Sequence, residues 1–465
     1  MNSSLAISRR GALSLALAGG AAMLAARPAA AASQQLFDGA GLRGGIDAAA
    51  RGLVPGAPDD QGTKLSAIIG RAARDNQPIF LPPGTYRVSN LDLPEGTRLM
   101  GVEGATRLVH NGGGPFMRAS GAGRIALSGL VLDGANRPLG EPAAALIDMR
   151  DVADVAIENC EIIGSGKSGI QLERCGGRID RCRLVRAADY ALLAIDSVGL
   201  SITGNSVTDC GNGGILVHRR TKGPDGTLIA GNRIVGTRAT NGGTGQYGNA
   251  INIYRADNVQ VIGNHINRSA FSAIRSNAGS NVLIANNQCL ASGETAIYSE
   301  FGFEGAIVSG NLVDGAANGI SIVNFNEGGR LASVSGNVIR NLSLVAPYEQ
   351  SDTFFGLGIS VEADTVVTGN VIENAPRFGL LLGWGPFLRN VSMTGNVVRQ
   401  AATGCAVSVA PGAGNAIIAN NLFERVSSGG IKAYRWHDAA SGELAGNTPA
   451  FPQLTITGNR VVPAN

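Results

Sequence analysis

The sequence predicts an all-β protein, a single-stranded parallel β-helix closed at its start by a short helix, and three observations carry that reading. The first is a recurrent hexamer of apolar, small, Gly, Asn, any and apolar residues. It opens with Ile202-Thr203-Gly204-Asn205-Ser206-Val207 and returns ten times in all up to Asn459, with Asn286 and Asn420 replacing the Gly in two copies. The second is a companion stretch of small-Ile-x-apolar form, as in Gly214-Ile215-Leu216-Val217, Ala250-Ile251-Asn252-Ile253 and Ala296-Ile297-Tyr298-Ser299. The third is the undecorated period of about 23 residues, which suits a coil of three short strands, whereas helical solenoids repeat at longer periods and 3.6-residue patterning is absent. A Leu-x-x-Leu-x-Leu frame is also absent. Neighbouring coils are expected about 4.8 Å apart, the spacing of hydrogen-bonded strands.

A chain of 465 residues can fold as one long repeat domain rather than several ordinary ones. Its 67 glycines suit a fold made of turns, and its 44% apolar content supplies a core and excludes disorder. The formal net charge of +3, with no basic block interleaved by aromatics and no acidic tail, points away from nucleic acid.

Residues 1–32 read as a signal peptide of twin-arginine type. Ser8-Arg9-Arg10 precedes an uncharged run from Gly11 to Ala26, then Arg27-Pro28 and an alanine stretch ending at Ala32. The run is short for a membrane span and rests on Ala and Gly. No Cys lies near the cleavage zone. The expectation is a periplasmic or secreted protein with no stable membrane span once the signal is removed.

Residues 33–98 form the N-terminal segment. Positions 33–58 are rich in Gly and Ala and show little periodicity. From Asp59 a helix is expected, with Leu65, Ile68, Ile69 and Ala72 on its apolar face, followed by strand, turn and strand over Ile79 to Val88. Residues 99–465 are then β-helix repeats with loop insertions. Two shorter coils pass through Leu99–Val109 and Ile125–Leu132, and regular coils begin near Val155. Residues 59–88 resemble the N-terminal cap and first coil of the pectate-lyase-like right-handed parallel β-helix superfamily. The signal, cap and repeats together resemble a bacterial family of twin-arginine-exported β-helix repeat proteins. That resemblance implies the fold, and a fold does not fix a reaction.

The asparagines Asn205, Asn232, Asn264, Asn287, Asn311, Asn337, Asn370, Asn396, Asn421 and Asn459 fall at one position of successive coils. Upstream in register stand Cys182, then Cys160, then Leu130. A ligand site would not fade into Leu, whereas an internal turn ladder of stacked amides can. Cys160 and Cys182 then stand about one strand spacing apart, which fits either a disulfide or stacked free thiols. None of the six cysteines forms a CxxC pair, acidic clusters are lacking, and neither a metal site nor a cofactor is evident.

Chemistry is expected on the companion strand, where period-two alternation turns the x residue and the one two further on outward. Insertions at Thr237–Gly248 and Leu342–Gly356 enter at one corner before this strand, and others at Arg219–Thr227 and Arg435–Leu454 enter after it. The first two, sharing a corner, are expected to wall a groove. In it, Asn252, Asn277, Glu362 and Trp384 are candidate substrate-binding residues, with Arg275, Tyr298, Tyr254, His218 and Glu300 as candidate catalytic ones. Asn, Arg and Tyr along a groove suit a sugar chain.

A uronate lyase or C5-epimerase would use Arg275 to neutralise the sugar carboxylate, with Tyr254, Tyr298 or His218 handling protons. The bland alternative pairs Arg275 with Glu300 on an ordinary solvated face. A hydrolase would need two carboxylates. Glu300 and Glu362, two coils or roughly 9.6 Å apart, sit at the edge of the inverting range of about 6.5–9.5 Å, and the clustered aspartates of the superfamily's pectin hydrolases are missing. The sequence therefore reads as an exported carbohydrate-active β-helix, a polysaccharide lyase or epimerase. The alternative is a non-catalytic periplasmic repeat protein that binds glycan or a protein partner. His110, His265 and His437 are expected at the surface.

Overall fold

In the computed structural model, which describes residues 44–242, 245–348, 355–446 and 451–463, parallel strands stack into a solenoid with three faces. The signal segment read at 1–32 lies outside the described residues. Among those described, no helix is long and apolar enough to cross a membrane.

The first face is a sheet of 16 strands, running from Ile46–Asp47 through Ser201–Thr203 to Leu454–Thr457. The second and third faces lie on either side of the next bend, as in Ser206–Thr208 and Gly213–Pro224. They merge into one 28-stranded sheet because Val371–Leu382 and Val397–Ser408 each run through that bend.

Three apolar columns fill the interior, and the repeat explains each. On the first face Ile202, Ile229, Val261 and Ile284 stack in register, one from each hexamer. The hexamer's last residue builds the second, through Val207, Ile234, Ile266, Cys289 and Val313. The companion Ile builds the third, through Ile215, Ile251, Ile274, Ile297 and Ile320. All are essentially fully buried, and each such side chain contributes about 1.5–3 kcal/mol of transfer free energy.

The helix, α1 (Gly62–Arg74), buries Leu65, Ile68, Ile69 and Ala72. It lies against Gly84–Val88 and Leu91–Asp92, the first strands of the second and third faces, and so covers the open end of the solenoid. Asp60 Oδ1 accepts the Gly62 amide at 2.6 Å. A Cβ on Gly62 would meet the Ser89 carbonyl at 2.3 Å, so this close approach requires glycine. The stretch read as aperiodic, 33–58, also holds the first strand: Ile46–Asp47 pairs with Ile79–Phe80. Two residues are too few to show a period.

The turn between the first and second faces carries the asparagines. The residue before each Asn is left-handed, with φ of 63–67° at Gly204, Gly231, Gly263, Gly310, Gly336, Gly369, Gly395 and Gly458, and 57° and 56° at Asn286 and Asn420. Gly and Asn are the residues that tolerate this conformation best, which explains both the rule and its exceptions. Each amide then bridges three coils. Asn311 Nδ2 donates to Ile284 O and to Asn337 Oδ1, both at 3.0 Å, while Asn311 Oδ1 accepts from Asn287 N and Nδ2 at 2.9 and 3.0 Å. The pattern runs on to Asn459 and starts at Cys182, whose amide donates to Asn205 Oδ1 at 2.8 Å. Of the two alternatives for Cys160 and Cys182, the structure has free thiols, both buried.

Candidate functional site

The companion strands form the third face, and register places the candidates on adjacent coils: Asn252 beside Arg275, Arg275 beside Tyr298, Tyr298 beside Ser321, Ser321 beside Ser360. Their side chains turn away from the interior column, yet outward does not mean exposed. Asn252 is 2% and Arg275 8% exposed, because residues of the insertions, Gly245 and Tyr348 among them, lie over this face. Tyr348, from the Leu342–Gly356 insertion, packs between Phe271 and Phe355 with ring centroids 6.1 and 5.7 Å away, and donates to Glu294 at 2.5 Å. From the opposite edge, Lys222 Nζ reaches the Gly302 carbonyl at 2.5 Å.

This covering overturns the open-face placement of Arg275. Its Nε and Nη2 donate to Glu300 Oε1 and Oε2 at 2.7 and 3.0 Å, its Nη1 donates to Glu294 Oε2 at 3.3 Å, and its guanidinium lies 5.0 Å from the Tyr298 ring centre. Burial pushes the Glu300 carboxyl above its ordinary value even though Arg275 opposes the shift. Burial likewise raises the Tyr298 phenol. The pairing with Glu300 belongs to a buried network rather than to a solvated surface. Sequence reasoning missed Glu294 and Tyr348, which lie in loops and have no register to read.

On either side of this buried network is a cleft. The first, about 380 Å³, is lined by Tyr190, Leu193, His218, Gly245, Gln246, Asn252, Tyr254 and Asn277. His218 Nε2 lies 2.7 Å from Asn252 Oδ1, and its ring meets Tyr254 edge-on at 5.7 Å. Burial pushes His218 down to about 4, so near neutral pH the imidazole is uncharged and Nε2 is the donor to Asn252. Tyr190 stacks on Tyr247 at 6.4 Å.

The second cleft, about 340 Å³, brings Tyr298, Ser321, Ser360 and Glu362 together with Asn318, Asn324, Asn326, Trp384, Phe387 and Trp436. Trp384 and Trp436 meet edge to face at 5.5 Å and 83°. Trp436 lies directly on Gly385, where a Cβ would come within 2.3 Å of its ring. Glu362 Oε2 accepts the Phe325 amide at 2.6 Å, and burial lifts its carboxyl to about 7. Trp436 belongs to the Arg435–Leu454 insertion, whose length was legible although its fold back over Trp384 was not.

The candidates thus divide. His218, Asn252, Tyr254 and Asn277 share the first cleft, and Tyr298, Glu362 and Trp384 share the second. Arg275 and Glu300 line neither. Glu300 and Glu362 do lie two coils apart, each one residue past a paired column of Ser299, Ile322 and Val361, but Glu300 is 3% exposed and faces Arg275. His110, expected at the surface, is buried against Phe116 at 5.6 Å. His265 sits on the second face beside Gln288 at 3.0 Å, and His437 lies 4.9 Å from Trp384. Among the described residues no group of three or more His, Cys, Asp or Glu is placed to hold a metal ion. Two larger hollows, about 750 and 670 Å³, lie at a corner of the coil and beside α1, and neither is lined by an aromatic side chain.

Residues 109–234 and 145–339 match the family model of the right-handed β-helix region. Solved structures of similar fold include tailspike protein 3 of bacteriophage CBA120, at 12% identity and TM-score 0.52, covering 91% of this chain and 63% of that one. The Dettilon tailspike protein is similar at 14% identity and TM-score 0.49, covering 91% and 69%. The catalytic unit of an α-1,3-glucanase from Streptomyces thermodiastaticus is similar at 15% and 0.40, covering 90% and 69%. No curated protein matches the chain. At such identities the likeness is one of fold.

Proposed function

We propose that this right-handed parallel β-helix is an exported carbohydrate-active protein that holds glycan in the trough along its third face. The observation that carries the reading is the lining of the second cleft. Trp384, Trp436 and Phe387 offer flat apolar faces, and Asn318, Asn324, Ser321, Ser360 and Glu362 surround them with donors and acceptors. Pyranose rings present apolar faces and a rim of hydroxyls, and such a lining matches both. Export to the periplasm or beyond rests on the twin-arginine pattern at 1–32.

The enzymatic form of the reading is a polysaccharide (uronate) lyase or C5-epimerase. Either needs a cation open to the sugar carboxylate, and Arg275 is committed to Glu294 and Glu300. His218, held neutral with a low proton affinity, is a weak base. These features favour the non-catalytic alternative, a periplasmic repeat protein that binds glycan. One observation keeps a catalytic role in play: Glu362 holds its proton up to about pH 7 inside the cleft, as a general acid must.

A glycan array probed with the wild type and with Trp384→Ala tests the reading. The wild type is expected to bind a defined subset of glycans and the variant to lose it. Binding by neither protein, or equal binding by both, would remove the second cleft as the site. Parallel ultraviolet monitoring for unsaturated uronate products separates enzyme from binder.

A further inference from the structure

The two clefts adjoin. Asn277 lines the first and Tyr298 the second, and the coils that carry them are paired neighbours, with Arg275 opposite Tyr298 and Asn277 opposite Glu300. The floor where they meet is held by hydrogen bonds: Asn277 Nδ2 donates to Glu300 Oε1 at 3.1 Å, and Arg275 Nε grips the same oxygen at 2.7 Å. From Asn252 in the first cleft to Ser360 in the second the register takes four steps, about 19 Å at roughly 4.8 Å per coil. Tyr348 stands at one edge of this length, and the Lys222–Gly302 contact lies at the other.

Charge narrows the ligand. Among the described residues no lysine or arginine lines either cleft. Of the cations beside them, Arg275 is already shared between two carboxylates, and Arg255 lies 4.8 Å from the Tyr254 ring centre and donates to the Arg220 carbonyl. Tyrosines aside, the titratable groups on the linings are His218, which burial keeps uncharged near neutral pH, and Glu362, whose upward shift is opposed only by backbone amides. An anionic sugar chain would give up its hydration and find no cation on either lining, a cost that a neutral chain avoids.

We infer that the two clefts are subsites of one site, occupied together by a single unbranched, uncharged oligosaccharide of about five sugars or more. This rests on the glycan-binding reading and adds to it a chain length and a charge. Joining two subsites through one ligand raises affinity steeply once the chain spans both.

The test is a set of affinities for cello-, laminari- and malto-oligosaccharides and for oligogalacturonates, each from the disaccharide to the octasaccharide. In at least one neutral series, affinity is expected to rise roughly tenfold or more between the trisaccharide and the hexasaccharide. Tyr254→Ala in the first cleft and Trp384→Ala in the second are each expected to flatten that rise. A neutral trisaccharide bound as tightly as the hexasaccharide, or a preference for oligogalacturonates, overturns the inference and leaves glycan binding standing. Binding in no series overturns both. If either variant fails to fold, the wild-type length series alone still decides.

Discussion

Arg275 and Glu300 face each other from adjacent coils as a two-bond ion pair, Nε to Oε1 at 2.7 Å and Nη2 to Oε2 at 3.0 Å, with side chains 9% and 4% exposed. A pair in this setting is a structural element. It ties two coils together beneath the trough and is screened from the solvent that would weaken a surface pair.

Arg275→Ala is therefore expected to act through stability. Removing the cation leaves the carboxylates of Glu294 and Glu300 buried without a counter-charge, a loss of about 3–5 kcal/mol, read as a lowered midpoint in urea. A variant as stable as the wild type would show that the pair is replaceable by water.

Asn311→Ala tests the ladder. Deleting the amide orphans the Ile284 carbonyl and the Asn287 amide, both buried in the turn, at a cost of about 3 kcal/mol for two unmet groups. The turn lies at the corner between the first and second faces, away from the trough, so glycan affinity is expected to be unchanged. Loss of binding in a folded variant would contradict this separation of scaffold from site.

Much of the scaffold was legible because each coil repeats the same physical problem. The left-handed residue before each Asn selects Gly or Asn, and the interior columns select Ile and Val, so Ile202 and Ile251 announced their places. Register also set Asn252, Arg275 and Tyr298 side by side. What alternation could not show was the environment beyond the strand. Arg275 and Asn252 point outward as period two requires, but whether outward means water depends on how the insertions fold. Tyr348 and Trp436, in insertions without a period, decide that. The third face is consequently a covered trough in two parts rather than an open column.

Titration supplies a prediction with two opposing signs. Glu362 has its pKa raised to about 7, so the folded state holds a proton that the unfolded chain releases near 4.5, and the stability it contributes is lost as pH rises from 4.5 to 7. His218 is lowered to about 4, so the unfolded chain takes up a proton near 6.5 that the folded state refuses, and stability is lost as pH falls from 6.5 to 4. Each shift corresponds to about 3 kcal/mol, and the two slopes oppose each other over their shared window. Relative to the wild type, Glu362→Gln is expected to steepen the gain of stability with rising pH, and His218→Gln to steepen its loss. Denaturation midpoints at a series of pH values check both, and parallel curves for all three proteins would show that neither group titrates with folding.

Gly385→Ala probes the aromatic wall. The new Cβ would come within 2.3 Å of the Trp436 ring at a residue with φ of 55°, so the ring must move off its seat. Stability is expected to fall by about 1 kcal/mol or more, and glycan affinity to fall as far as in Trp436→Ala. Retained affinity would place Trp436 outside the binding surface.

The chain has two tryptophans, Trp384 and Trp436, and both line the second cleft, so tryptophan emission, excited apart from the tyrosines, reports on that cleft in the unmodified protein. Titration with the neutral oligosaccharide series is expected to give a saturable change in tryptophan emission, with the midpoint falling as the chain lengthens. An emission spectrum that no glycan alters, in protein that melts cooperatively, would contradict the assignment of this cleft to sugar.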